Sequence, residues 1–385
     1  MGDLKIIERG TIYGAVGRPE RERAACLPDL CLTGSGALFS TFQLGRVKNA
    51  SDSTLRVCRS YDRGRSWQEM PFAFETRFAG TAGSLSAGQM VEVGPGRLLL
   101  LATWMDRTDP DRPMFDPATE GILHTKILKS YSTDDGAGWS EWEEVQLPGM
   151  RFCPHSSGPI VQWRYGAFAL PIESHKPYDD PSPSRRDVQA SWLIISRDYG
   201  RTFTGPHMVA QHPEHTIYYW DQRVCPGRRP GEFVALFWTH DRSRGQDITV
   251  HLRRGQLAGE AVSTGPIVDT GMPGQIAAPI VLSSGRMLAL VVDRLWPGRI
   301  EIWQSDGDDC QWSKLSPAYV HSGAARSAYA GGAVVTYTEV WETLEKWRFG
   351  CPAIKALGDG EALITYYADL DHYLGVHWVR IGLPE

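Results

Sequence analysis

The chain has 385 residues and a formal net charge of −5, with 42% hydrophobic and 22% charged residues. This composition is typical of a globular protein with a large core, and the acidic balance argues against nucleic acid or an anionic membrane as a partner. No stretch reaches the 18 apolar residues of a membrane span. The seven cysteines show no metal-ligand spacing and the N-terminus has no apolar signal region, so we expect a cytoplasmic protein without metal or cofactor.

In chain order, the first repeated element is a glycine turn followed by a short apolar strand. The copies begin at Gly36, Gly96, Gly166, Gly231, Gly285 and Gly360. Another apolar strand precedes each glycine, at 27–32, 89–93, 158–163, 221–225, 278–282 and 352–357. Each pair of strands predicts a β-hairpin. Further strands are predicted at 54–60, 125–132, 189–196, 247–253 and 299–305.

Six similar units that fill the chain indicate an all-β fold, a six-bladed β-propeller with four-stranded antiparallel blades. We expect a single domain over residues 1–385. The last unit has only residues 375–381 after its hairpin. Residues 4–13 are therefore expected to supply its outer strand and to close the ring.

A second repeat overlies the first. Residues 60–67, 132–139 and 196–203 share the pattern Ser-x-Asp-x-Gly followed by an aromatic residue, and 305–312 is a degenerate copy. The pattern resembles the Asp-box, or BNR repeat, of sialidases. Its aspartate accepts backbone N–H bonds within a turn and its glycine takes a positive φ. Asp62, Asp134 and Asp198 are therefore expected to be structural.

The resemblance to the sialidase superfamily covers essentially the whole chain and implies a propeller that handles a carbohydrate. The superfamily includes exo-sialidases, other exo-glycosidases and some polysaccharide lyases. Sialidases carry Arg-Ile-Pro near the first inner strand, and its arginine is the first of three that bind the sialic acid carboxylate. This chain has Cys26-Leu27-Pro28 there. Arg223 could match a later arginine of the three, and Tyr366 or Tyr367 lies in the last blade.

The antiparallel arrangement selects candidate site residues. The start of the innermost strand and the end of the next strand meet at one end of each blade. The candidate catalytic residues at these positions are Asp221, Glu173, Asp241 and Asp106. The candidate substrate-binding residues are Arg223, Arg107, Arg294, His155, His175, His240, Gln89, Gln275, Trp104, Tyr219, Trp238 and Arg348.

Paired carboxyl groups suit glycoside hydrolysis, and arginine forks suit an acidic sugar. We therefore expect an exo-acting glycoside hydrolase that cleaves a terminal sugar from an oligosaccharide or glycoconjugate. An acidic terminal sugar is compatible with the candidate arginines. One alternative is a polysaccharide lyase, in which His155, His175 or His240 acts with a tyrosine beside a uronate carboxylate. Another alternative is a sugar-binding propeller without catalysis. The sequence leaves the sugar, the linkage and the oligomeric state open.

Overall fold

The computed structural model describes residues 4–116, 118–182, 186–294, 298–322, 347–370 and 373–383. These residues form β-strands and two single-turn 3-10 helices, Glu20–Glu22 and Arg186–Val188, with no α-helix among them. The protein is nearly all-β, as predicted. In the described part of the chain no helix has the length and apolar character needed to cross a membrane.

The strands follow one another at short intervals along the chain. The first thirteen are β1 (Lys5–Tyr13), β2 (Ala24–Leu32), β3 (Leu38–Gly45), β4 (Thr54–Ser60), β5 (Gln68–Glu69), β6 (Gly83–Gly94), β7 (Arg97–Asp106), β8 (Thr125–Ser132), β9 (Glu143–Glu144), β10 (Cys153–Ser156), β11 (Val161–Arg164), β12 (Ala167–His175) and β13 (Ala190–Ser196). The remainder are β14 (Thr204–Ala210), β15 (Ile217–Pro226), β16 (Glu232–Asp241), β17 (Gln246–Asp247), β18 (His251–Ala258), β19 (Ala261–Asp269), β20 (Ala277–Val281), β21 (Met287–Asp293), β22 (Arg299–Ser305), β23 (Ser313–Ser322), β24 (Phe349–Gly358), β25 (Glu361–Leu370) and β26 (Tyr373–Gly382).

These strands form five hydrogen-bonded sheets in which successive strands pair antiparallel. Four sheets contain β6–β9, β10–β14, β15–β19 and β20–β23. The fifth has eight strands, because β2–β5 and the group β24, β25, β26 and β1 are joined by a parallel bridge between Ala24 and Leu374. The first strands of different sheets contact one another: β2 contacts β6, and β20 contacts β15 and β24. Within the eight-stranded sheet, β2 also contacts β24, the first strand of the other group.

Most predicted strands are present, and the bounds of several are confirmed. Two are found only in part: of 158–163 only 161–163 is strand, and 247–253 is interrupted at 248–250. Residues 54–60, 125–132 and 299–305 coincide with β4, β8 and β22. The first strands start earlier than predicted, since β6 begins at Gly83 and β15 at Ile217. Both strands contain a register shift, between Ser86 and Gln89 and between Trp220 and Arg223. A bulge breaks the apolar pattern, so sequence reasoning placed the start of each strand after it.

Three turns share one set of hydrogen bonds. The hydroxyl of Ser60 donates to the Asp62 carboxylate at 2.8 Å, and the backbone N–H of Ser66 donates to the same carboxylate at 2.9 Å. Asp134 and Asp198 accept equivalent bonds within their own turns. The three carboxylates therefore hold turns and are not among the cavity residues described below.

The N-terminal strand β1 pairs antiparallel with β26, from Lys5 opposite Gly382 to Tyr13 opposite Val376. Gly10 lies at the centre of this pairing. A Cβ atom at Gly10 would lie 2.6 Å from the ring of Trp378, which is 2% exposed. The pairing thus requires a residue without a side chain at this position.

The variant Gly10→Val tests how much β1 contributes to stability. We expect a loss of about 1–3 kcal/mol in the free energy of unfolding, because the added methyl groups displace a buried ring. Urea unfolding followed by tryptophan fluorescence measures it. The control is Gly14→Ala, whose Cβ would meet only Thr11, at 3.9 Å. Equal stability of the two variants would contradict the assignment.

Candidate functional site

A cavity with about 740 Å³ of empty space lies beside the first strands of several sheets. Its wall combines carboxyl groups, imidazoles, a lysine and three indole rings. The lining residues are Leu27, Lys48, Asn49, Met114, Ile122, His155, Ser157, Glu173, His175, Trp220, Asp221, Trp238, Ile276, Trp347 and Cys351.

A repeated backbone irregularity supplies part of this wall. The first strands β2, β6, β15 and β24 each shift register against their neighbours, and within each shift one residue has a positive φ: Leu27 (54°), Ala87 (47°), Asp221 (46°) and Cys351 (48°). This conformation is unfavourable for residues other than glycine and is often found at functional sites. Three of the four residues line the cavity, and only Asp221 brings a carboxylate.

The bulge at Asp221 also positions a second carboxyl group. The backbone N–H of Gln222 donates to Oε1 of Glu173 at 3.3 Å. Glu173 and His175 lie two residues apart on β12 and therefore share a face, and Glu173 is paired across the sheet with His155 of β10. One strand and one bulge thus bring two carboxyl groups and two imidazoles to the same cavity.

The two carboxyl groups have different surroundings. Glu173 is 6% exposed, and its burial, together with the negative charge of Asp221, raises its pKa well above the ordinary glutamate value. The side chain of Asp221 is 28% exposed, and its Oδ1 accepts a bond from Nη2 of Arg223 at 3.4 Å. Glu173 is therefore suited to carry a proton at neutral pH beside a carboxylate that has a cationic partner.

The imidazoles of His155 and His175 lie 6.3 Å apart, edge to face. Burial lowers the pKa of His155, against the opposing effect of Asp221. Burial and the neighbouring His155 lower the pKa of His175 to about 3. Nε2 of His175 lies 3.7 Å from Oε2 of Glu173, and burial disfavours the charged form of both groups.

Three tryptophans form one side of the cavity, and we call them the indole wall: Trp220, Trp238 and Trp347. The ring centroids of Trp220 and Trp238 are 5.1 Å apart, and those of Trp238 and Trp347 are 5.2 Å apart. Aromatic faces of this kind can stack on the apolar face of a pyranose.

Two buried cations lie against the indole wall. Lys48 is 4% exposed, its Nζ lies 4.7 Å from the Trp347 centroid, and it donates to the Tyr367 hydroxyl at 3.3 Å. Arg294 is 3% exposed, its Cζ lies 4.2 Å from the same centroid, and it donates to the carbonyls of Gln275 and Phe349. Among the described residues, no carboxylate forms an ion pair with either cation.

The similarity of this chain to known proteins is found in its structure and not in its sequence. No family model matches the chain, and no curated protein matches its sequence. A Dyadobacter fermentans protein of unknown function superposes with a TM-score of 0.72 at 15% identity, over 100% of both chains. A Hadza microbial sialidase gives 0.64 at 16% identity, over 96% of this chain and 67% of that one. A Penicillium chrysogenum alpha-L-arabinanase complexed with arabinobiose gives 0.58 at 13% identity, over 97% and 98%.

The fold is sialidase-like. At this level of identity the likeness concerns the architecture alone. Within the sialidase-like fold, the structure brings a subset of the predicted site residues together at the cavity: Asp221, Glu173, His155, His175 and Trp238. Arg223 and Arg294 adjoin the cavity through Asp221 and Trp347.

Other predicted residues lie outside the cavity lining and contact the lining residues or the residues next to them. His240 is fully buried, stacks on Trp220 with centroids 5.0 Å apart, and contacts the Asp247 carboxylate at 2.8 Å. Gln275 links Asp247 to Arg294. Gln89 accepts a hydrogen bond from Ser156, which lies at the end of β10.

The remaining predicted residues make contacts elsewhere in the sheets. Trp104 donates to the Thr76 carbonyl at 2.8 Å, and Tyr219 packs on Phe237 at 5.4 Å. Asp106 and Asp241 each accept a backbone N–H from the residue two positions on, within their own turns. The guanidinium of Arg107 donates to Ser84 and to the Asn49 carbonyl, and that of Arg348 donates to Asp369.

Sequence reasoning missed Lys48, Trp220 and Trp347. Lys48 lies three residues beyond the end of β3, outside the strand end used for selection. Trp220 was missed because two-residue alternation of side chains placed its neighbours Tyr219 and Asp221 on the site face and Trp220 on the opposite face. The bulge after Trp220 ends that alternation. Trp347 immediately precedes the selected Arg348.

The cavity residues show no metal-binding arrangement. Among the described residues, no group of three or more histidine, cysteine, aspartate or glutamate side chains is placed to hold an ion. All seven cysteines are free thiols, and six of them are buried.

The raised pKa of Glu173 predicts a dependence of stability on pH. Between the ordinary and the raised pKa, the folded protein holds a proton that the unfolded chain has released, so stability falls as the pH rises. Each unit of pKa difference corresponds to about 1.4 kcal/mol. Replacing Glu173 with Gln removes this loss, so from about pH 5 upward the variant should gain stability relative to the wild type.

Urea unfolding at a series of pH values measures this difference. The control is Glu141→Gln, at an exposed position, whose profile should run parallel to that of the wild type. A Glu173→Gln profile that also stays parallel would mean that Glu173 ionises normally in the folded protein.

Proposed function

We propose that the protein is an exo-acting glycoside hydrolase that removes an acidic terminal sugar from an oligosaccharide or glycoconjugate. The observation that carries this proposal is the pair Glu173 and Asp221. A buried carboxyl group with a raised pKa adjoins a second carboxyl group with an arginine partner, at the wall of a cavity lined by indole rings.

Glycoside cleavage needs a proton for the leaving oxygen and negative charge near the anomeric carbon. Glu173 is the proton donor: its carboxyl proton moves to the glycosidic oxygen as the bond to the anomeric carbon breaks. Asp221 faces the positive charge that develops on the sugar, as nucleophile or as base for water. If Asp221 is the nucleophile, water releases the sugar from it, supplies the hydroxyl group and returns a proton to Glu173. If Asp221 is the base, it takes the proton of the attacking water, and proton exchange with solvent then restores both carboxyl groups.

The shape of the site supports action at a chain end. Met114 and Ile122, from the segment between β7 and β8, form part of the cavity wall. Lys176 holds this segment, since its backbone carbonyl accepts from Ile122 N–H at 2.8 Å and its ammonium donates to the Thr119 carbonyl at 2.7 Å. A wall segment that is held in place limits the room for a polymer that continues past the cavity, which favours a terminal sugar.

Lys48 and Arg294 support an acidic sugar. Burying a cation without a carboxylate partner costs folding free energy, and burying two such cations beside one indole ring costs more. Burial raises the pKa of Tyr367, so its hydroxyl stays neutral and does not compensate the charge of Lys48. A carboxylate or sulfate on the sugar would supply the negative charge that the described residues around these cations lack.

The architecture that we propose for this function is a single-domain, six-bladed propeller. The two halves of the eight-stranded sheet and the other four sheets would be the blades. The pairing of β1 with β26 would close the ring, and the turns at Asp62, Asp134 and Asp198 would be Asp-boxes. The structural likeness to a sialidase and to an arabinanase supports a sugar-cleaving enzyme with this architecture.

Leaving-group dependence tests the role of Glu173. For alkyl glycosides we expect Glu173→Gln to lower kcat by about 10²–10⁴-fold, since the leaving alkoxide needs a proton. For a dinitrophenyl glycoside, whose leaving group needs none, the loss should be at least roughly tenfold smaller. Asp221→Asn should impair both substrates alike. If Glu173→Gln lost the same activity on both substrates, Glu173 would not be the proton donor. If the wild-type protein cleaved none of a broad panel of glycosides, a sugar-binding protein without catalysis would be favoured.

Charge selectivity tests the role of Lys48. We expect Lys48→Met to raise KM for a uronide or sialoside by about 10- to 100-fold, and to leave KM for the uncharged counterpart nearly unchanged, because the lost interaction is electrostatic. Lys48→Arg keeps the charge and serves as the control. Equal effects of Lys48→Met on charged and neutral sugars would contradict an anionic substrate.

A polysaccharide lyase is the second candidate, favoured by the neutral imidazoles of His155 and His175. Either ring could accept the proton next to a uronate carboxylate that Lys48 and Arg294 neutralise. The product decides between the two reactions, because elimination yields an unsaturated uronate that absorbs near-ultraviolet light and hydrolysis does not. A rise in absorbance during polymer cleavage would replace the hydrolase proposal with the lyase.

A further inference from the structure

A line of polar side chains, three of them buried and Asp247 partly buried, runs behind the indole wall and connects its two ends. His240 stacks on Trp220 and its Nδ1 lies 2.8 Å from Oδ1 of Asp247. Oδ2 of Asp247 accepts from Nε2 of Gln275 at 2.8 Å. Gln275 in turn accepts from Arg294, which lies on Trp347.

The chemistry of these groups allows one order of donors and acceptors. A guanidinium can only donate, so Gln275 must present its carbonyl oxygen to Arg294 and its amide N–H to Asp247. A carboxylate can only accept, so Asp247 accepts from Gln275 with one oxygen and from the Nδ1–H of His240 with the other. The carboxylate of Asp247 therefore fixes the amide orientation of Gln275 and the donor nitrogen of His240 together.

The backbone holds each member of this line in place. The two-residue strand β17 sets Asp247 opposite His240 of β16. The N–H of Gln275 donates to the Val292 carbonyl at 2.8 Å. Gly350 leaves room for Arg294, since a Cβ atom there would lie 2.5 Å from its Nη2. Little freedom remains for the line to rearrange when one member changes.

We propose that Asp247 is a positioning residue, which sets the geometry of the sugar-binding indole wall through His240 and Arg294. Asp247 lies outside the cavity lining and acts on a bound sugar only through these two side chains. This proposal depends on the proposed function, because it assumes that a sugar binds in the cavity. It extends that function by naming a residue that controls substrate affinity without touching substrate.

The variant Asp247→Asn tests the proposal, because an amide can accept from one neighbour but then turns its own N–H₂ toward the other. Binding to the wall is shared by the ground state and the transition state, so we expect KM to rise roughly tenfold with kcat nearly unchanged. The pH profile of kcat should stay that of the wild type. The near-ultraviolet circular dichroism of the tryptophans should lose intensity, whether or not the enzyme turns over a given substrate.

A swapped double variant, Asp247→Asn with Gln275→Glu, gives the sharpest test. The new carboxylate at position 275 would accept from Arg294 and from the new amide at position 247, whose carbonyl oxygen would accept from His240. Every donor again meets an acceptor and one negative charge is kept, so the double variant should recover most of the near-ultraviolet spectrum and of the wild-type KM for an uncharged sugar. Asp269→Asn is the matched control: this aspartate accepts from Thr249 and Gly271 on the outer strand of the same sheet, and its loss should change neither signal.

The outcomes separate this proposal from the one on which it rests. A wild type without glycosidase activity would overturn the proposed function, while the dichroism would still report on the indole wall. A wild-type KM and spectrum in Asp247→Asn would overturn the positioning role even in an active enzyme. A folded double variant no better than the single one would contradict the order of donors and acceptors given above.

Discussion

The site depends on a backbone constraint in β15. Asp221 adopts a φ of 46° within the register shift between Trp220 and Arg223, and this bulge has two consequences. It places the Asp221 carboxylate at the cavity, and it directs the N–H of Gln222 to Glu173. A regular strand would turn residue 221 according to the alternation of its neighbours and would pair the amide of Gln222 within the sheet. The bulge therefore couples the two carboxyl groups on which the chemistry rests.

Burial then gives the two groups different roles. Glu173 has little solvent and a negative neighbour, so its protonated form is favoured, whereas Asp221 is more exposed and contacts Arg223. The same low exposure lowers the pKa values of His155 and His175, and Lys48 and Arg294 have no carboxylate partner among the described residues. The cavity and the side chains packed against it thus combine a buried carboxyl group, a more exposed carboxyl group and two cations.

Many strand positions and the two carboxyl residues at the cavity were predictable from sequence, because apolar runs, glycine turns and strand ends are local features. Glu173 was found where an apolar strand stops, and Asp221 where one was thought to start. The face on which a residue lies was less predictable. Tyr219 was grouped with Asp221 by two-residue alternation, but it packs on Phe237, and Trp220 lines the cavity instead. Lys48 was missed because its burial depends on Trp347 and Tyr367, about 300 residues away in sequence, which no local pattern reports.

The most direct measurement is the titration of the Glu173 carboxyl carbon by nuclear magnetic resonance, in protein labelled with carbon-13 at the glutamate side chains. Glu173→Gln identifies the resonance by its loss. We predict that this carbon titrates well above the ordinary glutamate pKa of about 4.3, and that Asp221→Asn moves its pKa downward. Titration near the ordinary value, or a raised pKa that Asp221→Asn leaves unchanged, would contradict the pairing of these two carboxyl groups.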